Sequence, residues 1–216
     1  LKQYGVRWIS EADRGQSHAV NKGFALASGD IIGWLNADDI YAPGAISAVC
    51  SLFESCPDIG LVYGHVEMID ADGQIIETVR VPPWNYNRLR RRPYSYISNQ
   101  TVFFRRRLLD ELGTLVDENL HFSMDHDFWI RCASITRVNR IDQVLGSFRH
   151  HEHAKSSAGD QRLVKEQRVI FERYSGYRGV TRKIVWWHWQ VRREVAATLF
   201  RYRTRRAARR PSRGRT

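Results

Sequence analysis

The feature that most constrains the fold is a short apolar run, Ile31 to Leu35, that leads into two adjacent acids, Asp38 and Asp39. A bounded apolar run of this length is typical of a strand buried on both faces. Ligands of open α/β sheets bind beyond the carboxyl ends of the strands. Two neighbouring carboxylates repel each other unless they share a cation, and hard divalent ions that bridge phosphates are such cations. The run therefore predicts an α/β sheet with a ligand-binding edge, and a helix N-cap at Asp39 is the alternative.

Strand and helix patterns alternate on both sides of this run. Apolar residues have helical spacing over 16–28 and 43–55. The turn sequence 70–73 separates two predicted strands, 61–69 and 74–79, and this arrangement predicts a hairpin. The order of elements predicts an α/β fold with a mostly parallel, Rossmann-like sheet flanked by helices.

The rest of the chain adds further elements and one long irregular stretch. Residues 6–9 have the pattern of a short strand. Residues 84–98 are rich in Tyr, Asn and Arg, and a loop of this length inside a domain is usually functional or disordered. The later predicted elements are a strand at 101–104, a helix at 105–112, a helical segment at 128–133, a strand at 138–148 and a helix at 160–174.

The net charge of +11 is concentrated at one end of the chain. Residues 178–216 contain 13 Lys and Arg and one acid, a charge of +12, so residues 1–177 carry −1. We therefore predict a folded domain over 1–177 and a basic amphipathic helix with a disordered end over 178–216. Because the body has no basic stripe and no known reading module, we expect no nucleic acid among the partners.

Composition and missing motifs exclude several classes of protein. Three cysteines without a CxxC pair argue against a zinc ribbon or a disulfide scaffold and fit a reduced, cytosolic environment. The sequence has no apolar run of 18 residues, so no membrane-spanning helix is predicted. The phosphate-binding motifs GxGxxG and GxxxxGK[ST] and the catalytic motifs GxSxG and HExxH are also absent.

Two further polar groups are candidates for chemistry. Asp125 and Asp127 stand just ahead of a predicted helix, where the helix dipole also favours acids for structural reasons. The segment 149–153 contains three histidines, which could bind metal, but without a second cluster a solvated loop is the default for at least two of them. A metal-assisted site made of carboxylates at strand ends is the hypothesis that remains.

Several segments, in order, resemble family 2 glycosyltransferases of the A-type fold. The pair Asp38 and Asp39 resembles the metal-binding DxD-like motif of that family, with Asn36 in place of its first acid. Residues 124–131 resemble the "ED" segment, in which the Asp is the catalytic base. The matching segments are residues 10–39, the acceptor-side segment 99–106, the segment 124–131, and Arg149 with His151 as an R-x-H element.

The resemblance implies an inverting transfer of a sugar from a nucleotide-diphosphate donor to a hydroxyl acceptor, as in the synthesis of polysaccharide, lipopolysaccharide or another cell-surface glycan. Asp125 is the implied catalytic base, and Asp127 is the alternative. The implied cofactor is a divalent cation, Mg or Mn. The residues implied to bind the donor are Asp13, Lys22, Asp38 and Asp39, and those implied to bind the metal are Asp38, Asp39 and His151.

The sequence also departs from the family. Members begin with a strand, a helix and a second strand whose acid reads the nucleotide base, and these elements are missing. We expect a truncated chain whose exposed sheet edge favours aggregation. One alternative is a catalytically silent remnant that acts as a membrane- or partner-binding module. Another is a sugar nucleotidyltransferase, against which the order of the later motifs counts.

The basic tail predicts a helix on a membrane surface. Trp is favoured at bilayer interfaces, and Arg is attracted to anionic lipid. We therefore expect a cytoplasmic protein that is peripheral on the inner face of the cell membrane, next to a lipid-linked or glycan acceptor. The alternative is a helix packed on the body. The predicted face consists of Val185, Trp189, Arg192, Ala196 and Leu199.

Overall fold

The computed structural model describes residues 5–150 and 161–208, which form one mixed sheet flanked by helices. The strands are β1 Ile31–Gly33, β2 Ile40–Tyr41, β3 Ile59–Ile69, β4 Ile75–Val79, β5 Phe103–Arg105 and β6 Arg137–Arg149. The helices are α1 Gln16–Leu26, α2 Ala45–Ser55, α3 Tyr86–Arg90, α4 Arg107–Leu112, α5 Met124–Ile135, α6 Gln161–Tyr174 and α7 Gly179–Ala208, with a 3₁₀ turn at Asn99–Thr101.

The two longest strands, β3 and β6, form the parallel centre of the sheet. The strand order is β1-β5-β3-β6-β2, and β4 pairs with β3 beyond that path. The α/β class and the 70–73 hairpin are confirmed, since β3 and β4 pair antiparallel. The sheet is mixed rather than mostly parallel, because β5 lies antiparallel between β1 and β3 and β2 runs antiparallel to β6.

The central strands bury both of their faces. Successive side chains of a strand point to opposite faces, so Leu61 and Tyr63 enter one apolar cluster and Val62 enters the other. The larger cluster lies under α1 and α5, and Phe128 and Trp129 are fully buried in it. Truncating an aromatic side chain at such a position costs about 3–5 kcal/mol. These two apolar clusters, one on each face of the sheet, hold the central strands in place, and the candidate site lies at the ends of the strands.

Two expectations for the first residues of the chain are wrong. Residues 6–9 form no strand and are exposed. The run Ile31 to Leu35 is not buried on both faces, since the Leu35 side chain is 39% exposed. The reason is that β1 pairs only with β5 and is the edge strand of the described sheet.

Candidate active site

The loop that follows β1 is held at its base by a buried carboxylate. Asp39 is 6% exposed, and its Oδ2 accepts a hydrogen bond from the Asn36 amide at 3.0 Å. Its Oδ1 accepts one from the backbone N–H of Arg149 at 3.1 Å, which ties the loop to the end of β6. Burial raises the pKa of Asp39, and the two hydrogen bonds oppose that rise. Asp39 therefore lies within the loop as a positioning group as well as a candidate ligand.

The Arg149 side chain joins two loops at this edge of the sheet. Its guanidinium donates to the backbone carbonyl of Asp38 at 3.0 Å and to the carbonyls of Asp70 and Ala71 at 3.0 and 2.9 Å. The hairpin turn is thereby fastened to the acidic loop. The structure thus brings Arg149 next to Asp38 and Asp39, although about 110 residues separate them in the sequence.

Asp38 and Asp125 line the same cavity, which has a volume of about 420 Å³. Asp38 comes from the loop after β1 and Asp125 from the first turn of α5. Asn36 and Gln16 line the same cavity. Two of the acids that the sequence singled out are therefore brought to one cleft.

Asp127 has a different environment from Asp125. It is 1% exposed, and its Oδ2 accepts from Arg131 Nε at 2.8 Å. Its Oδ1 accepts from the Arg173 guanidinium and the Tyr174 hydroxyl, both at 2.8 Å. Asp127 lines neither of the cavities that Asp125 lines. Asp127 therefore joins α5 to α6, and Asp125 is the acid of this segment that reaches the cleft.

The start of α5 is fixed by a carboxylate that the sequence analysis missed. Glu166 of α6 accepts hydrogen bonds from the backbone N–H groups of His121, Phe122 and Ser123 at 2.8, 2.8 and 3.0 Å. These groups belong to the N-cap residue Ser123 and to the two residues before it, so Glu166 binds the backbone of the turn that leads into α5. Glu166 thereby sets the direction in which the helix enters the cleft. No local pattern reveals it, because the contact spans more than 40 residues.

A second, smaller cavity of about 240 Å³ adjoins the first. The two share Asn36, Asn99 and Asp125. The long segment 84–98 supplies part of its wall, as does the 3₁₀ turn before β5. Further lining residues of the smaller cavity are Tyr94, Ser95, Ile97, Ser98, Gln100, Ser123, His126 and Gln167. Asp125 therefore lies where the two cavities meet.

Three predicted site residues lie elsewhere or outside the described residues. Lys22 pairs with Glu11 and donates to the Ala12 carbonyl, both at 2.8 Å. Asp13 accepts from the backbone N–H of Gly15 at 2.8 Å just before α1. Neither residue lines the two cavities. His151 lies outside the described residues.

Asp38 and Asp39 supply the oxygen donors for the predicted metal. Within residues 5–150 and 161–208, no cluster of three or more His, Cys, Asp or Glu could hold an ion. Mg²⁺ is commonly bound by one or two carboxylates, with substrate phosphates and water as the other ligands. The neighbouring carboxylates of Asp38 and Asp39 are hard oxygen donors of that kind. The residues present fit a metal that is completed by a phosphate ligand.

Helix α7 has one face on the body and one exposed apolar face. Trp186 packs on Phe171 at 5.6 Å between ring centroids, and Trp189 on Tyr94 at 5.7 Å. The predicted face thus lies partly against the body, since Val185 and Trp189 are half-buried there. The exposed apolar stripe consists of Val180, Ile184, Trp187, Val191 and Val195. None of the helices formed by the described residues could span a bilayer.

Comparisons with known proteins agree on one family. The model of the family described as "Glycosyl transferase family 2" matches residues 1–113. The chain is 29% identical to the O-antigen biosynthesis protein RfbC of Myxococcus xanthus over 156 residues, or 71% of this chain and 12% of that protein. It is also 29% identical to an uncharacterized glycosyltransferase of Methanocaldococcus jannaschii over 145 residues, or 65% of this chain and 49% of that protein.

Solved structures agree on the fold. The chain resembles S. aureus TarS 1–349 in complex with UDP-GlcNAc with a TM-score of 0.56 and 12% identity, over 82% of this chain and 52% of that one. A second structure of S. aureus TarS 1–349 gives a TM-score of 0.53. This likeness shows the fold, which is the predicted A-type glycosyltransferase fold. The chain spans at most about half of the length of each of these proteins.

Proposed function

Because this chain belongs to glycosyl transferase family 2, we propose that it transfers a sugar from a nucleotide-diphosphate donor to a hydroxyl acceptor, with inversion. The observation that carries the proposal is the single cavity lined by both Asp38 and Asp125. A transfer of this kind needs a group beside the leaving diphosphate and a base beside the attacking hydroxyl. Asp38 is suited to the position beside the leaving diphosphate, and Asp125 is suited to the position beside the attacking hydroxyl.

Asp125 is the proposed general base. It would accept the proton of the acceptor hydroxyl as the oxygen attacks the sugar from the face opposite the leaving group, and such attack inverts the anomeric carbon. Its position at the junction of the two cavities supports this role, because the acceptor and the donor must meet there. The ion pairs of Asp127 assign that residue to the α5–α6 contact.

Asp38 and Asp39 are the proposed ligands of a divalent cation, Mg or Mn, with His151 as the third. A cation bound there would supply positive charge to the departing diphosphate. Asp38 is one of the residues that line the larger cavity. Asp39 stabilises the loop after β1, because its carboxylate accepts hydrogen bonds from the Asn36 amide and from the backbone N–H of Arg149. Asp13 and Lys22 remain predictions for the nucleotide end of the donor.

Two observations support a cell-surface glycan as the product and a membrane as the working place. A relative, RfbC, carries the description of an O-antigen biosynthesis protein. In this chain, α7 exposes an apolar stripe, and residues 178–216 carry a charge of +12. An apolar face surrounded by basic residues suits an anionic bilayer surface. We place the enzyme in the cytoplasm, on the inner face of the membrane, beside a glycan or lipid-linked acceptor.

Donor binding with and without metal tests the proposal. Calorimetry with a panel of UDP- and TDP-sugars in Mg²⁺ should reveal one donor, and its affinity should fall at least about tenfold in chelator. Asp38→Asn should abolish the effect of Mg²⁺, whereas the exposed control Asp72→Asn should keep it. Donor affinity that is indifferent to chelator and to Asp38→Asn would contradict the assignment of the metal.

A catalytically silent binding module is the second candidate, and the exposed stripe of α7 favours it. The same calorimetric panel separates the two functions. A chain that binds no nucleotide-sugar yet binds anionic vesicles would have the second function. Release of the donor sugar onto an acceptor, detected by mass spectrometry, would establish the first.

A further inference from the structure

A further cavity, of about 380 Å³, lies between helix α7 and the long segment 84–98. It is separate from the candidate active site, because none of its lining residues lines either cavity of the cleft. Its charged wall is formed by three arginines of the segment, Arg88, Arg91 and Arg92, and we call it the basic cavity. The other lining residues are Asn87, Tyr177, Val185, His188 and Trp189.

No carboxylate of the described residues forms an ion pair with the arginines of the basic cavity. Arg88 Nη1 donates to the Pro83 carbonyl at 3.0 Å, and this acceptor is neutral. Since no acid lines the cavity either, its wall carries several positive charges that the described residues do not neutralise. The ion pairs that α6 and α7 form belong to other arginines, namely Arg168, Arg173 and Arg193.

Aromatic rings, not opposite charges, hold these arginines in place. The guanidinium of Arg91 lies over the ring of Tyr177, with its carbon 5.6 Å from the ring centroid. That of Arg92 lies over Trp189 at 5.1 Å, and Arg192 of α7 lies over the same indole at 5.5 Å. A cation–π contact orients a guanidinium and does not use its N–H donors, which suit an oxygen-bearing anion.

Arg92 is the position where the positive charges act most strongly on one another. Its side chain is half-buried, and burial lowers its pKa. The like charges of Arg88 and Arg192 lower the same pKa further. The folded chain therefore keeps a cation where both burial and its neighbours disfavour it. A bound anion would remove this electrostatic cost, because it pairs with several guanidiniums at once.

The basic cavity borders the exposed apolar stripe of α7. His188 of the cavity follows Ile184 of the stripe by four positions and precedes Val191 of the stripe by three. Side chains three or four positions apart are neighbours on a helix surface. A helix whose apolar face enters a bilayer holds its flanking polar groups at the level of the lipid headgroups. When the stripe contacts a membrane, the cavity is therefore next to lipid phosphates.

We propose that the basic cavity binds the phosphate headgroup of an anionic lipid, and that it prefers a phosphomonoester to a phosphodiester. A guanidinium can donate two parallel hydrogen bonds to two oxygens of one phosphate. A phosphomonoester carries a charge of about −1.5 to −2 at pH 7 and has three free oxygens, so it can bind more than one arginine. This inference rests on the membrane placement in the proposed function and is independent of sugar transfer.

Vesicles of two anionic lipids test the preference directly. The probes are phosphatidylcholine vesicles that contain either phosphatidic acid, a monoester, or phosphatidylglycerol, a diester, mixed to equal surface potential. The full chain should bind the phosphatidic acid vesicles about tenfold more tightly, because the monoester adds a charge-assisted hydrogen bond that general attraction does not supply. Equal binding to the two kinds of vesicle would overturn the proposal.

Glycerol 3-phosphate separates a lipid site from a site for a free phosphate. It has the same monoester headgroup without acyl chains, so it can use the arginines but not the stripe of α7. Its affinity for the full chain, measured by calorimetry, should be at least about a hundredfold weaker than that of phosphatidic acid vesicles, because the apolar contact is missing. Affinity equal to that of the vesicles would contradict the lipid as the ligand.

Two double variants with the same loss of charge assign the preference to this cavity. Arg91→Gln with Arg92→Gln should abolish the preference for phosphatidic acid, because both guanidiniums line the cavity. Arg178→Gln with Lys183→Gln removes two exposed charges outside the cavity. This control should weaken binding to both kinds of vesicle alike and keep the preference.

A folded Arg91→Gln, Arg92→Gln chain that keeps the preference would contradict the assignment, as would a control that loses it. Arg92 packs on an aromatic ring, so the double variant must also be checked for folding. Arg91→Gln alone changes an exposed side chain and should lower the preference about threefold. That single variant decides the matter if the double variant does not fold.

The outcome is separable from that of the proposed function. Binding to anionic vesicles without a preference for the monoester would refute this inference and leave the membrane placement intact. A preference for the monoester in a chain that binds no nucleotide-sugar would refute the transfer and leave the lipid site in place. Because the basic cavity and the cleft share no lining residue, Arg91→Gln with Arg92→Gln should leave donor affinity unchanged.

Discussion

Asp125 and Asp127 lie two residues apart in the first turn of α5, and their surroundings give them different roles. Side chains two positions apart on a helix point in different directions, so one turn cannot direct both acids into the cleft. Asp125 lines both cavities, whereas Asp127 pairs with Arg131 and Arg173. The sequence restricts the catalytic base to Asp125 or Asp127. It does not decide between these two acids, because the partners of Asp127 on α6 lie about 46 residues away in the chain.

Replacing each acid by Asn should separate the two roles. Asp125→Asn should lower turnover by about two to four orders of magnitude with donor affinity unchanged, since a proton acceptor acts only along the reaction. Asp127→Asn should lower the free energy of unfolding by about 2–3 kcal/mol, because it breaks a buried ion-pair network whose cations are partly solvated. Turnover assays check the prediction for Asp125→Asn, and urea unfolding checks the prediction for Asp127→Asn. A stable but inactive Asp127→Asn chain beside an active Asp125→Asn chain would reverse the assignment.

His126 links the stability of α5 to pH. Its Nε2 lies 3.1 Å from the Leu89 carbonyl, and burial lowers its pKa from 6.5 to about 4. The unfolded chain therefore takes up a proton at a higher pH than the folded chain does. The resulting stability is fully present above pH 6.5 and is lost as the pH falls from 6.5 towards 4.

The expected loss between pH 7 and pH 4 is up to about 3 kcal/mol, from 1.36 kcal/mol for each pKa unit. Urea unfolding at several pH values should show this fall in the native chain. His126→Gln should have a shallower pH dependence, whereas His188→Gln on the surface of α7 should follow the native curve. Parallel curves for the native chain and His126→Gln would show that His126 is not the group responsible.

Among the elements, α7 shows most clearly what a local pattern leaves undecided. Its sequence has apolar residues on two faces, so spacing alone cannot say which face meets the body. The contacts of Trp186 and Trp189 settle the choice, and they depend on Phe171 and Tyr94. The hairpin at 70–73 was predictable because its turn residues are local. The mixed strand order of the sheet was not predictable from local sequence, because the insertion of β5 between β1 and β3 depends on pairing between strands that are distant in the chain.

The exposed stripe of α7, not its docked face, should control binding to vesicles. Trp187 is 67% exposed, and Ile184 lies one turn before it on the same face. Replacing both by Ser should weaken binding to vesicles with anionic lipid about tenfold or more, because it removes apolar area from the contact, with little change in the melting temperature. Flotation and thermal melting check this.

The docked face provides the control for that experiment. Trp189→Ala should lower the melting temperature, since it removes the contacts of this ring with Tyr94 and with the Arg92 guanidinium. Vesicle binding by this variant should change less than binding by the double Ser variant. The opposite ranking in the flotation assay would make the docked face the lipid-binding one.

At the scale of the whole molecule, charge and chemistry are separated along the chain. Residues 1–177 carry −1 and contain the cleft, and residues 178–216 carry +12. The sequence predicted this division from counting alone. It could not predict Glu166 as part of the site, because its role arises only where α6 meets the turn that leads into α5.

Deletion of residues 178–216 should therefore release the protein from anionic vesicles. The change takes the net charge from +11 to −1, and each basic residue near an anionic surface contributes about 1 kcal/mol. Salt should weaken the binding of the full chain only in part, because screening acts on the charges and leaves the burial of Trp187 and its apolar neighbours. Because the deletion also uncovers Phe171, which packs on Trp186, its donor affinity serves as the check that the body remains folded. A full chain that ignores vesicles of every charge would show that the membrane prediction is wrong. A folded deletion variant that still floats with vesicles would place the membrane contact outside residues 178–216.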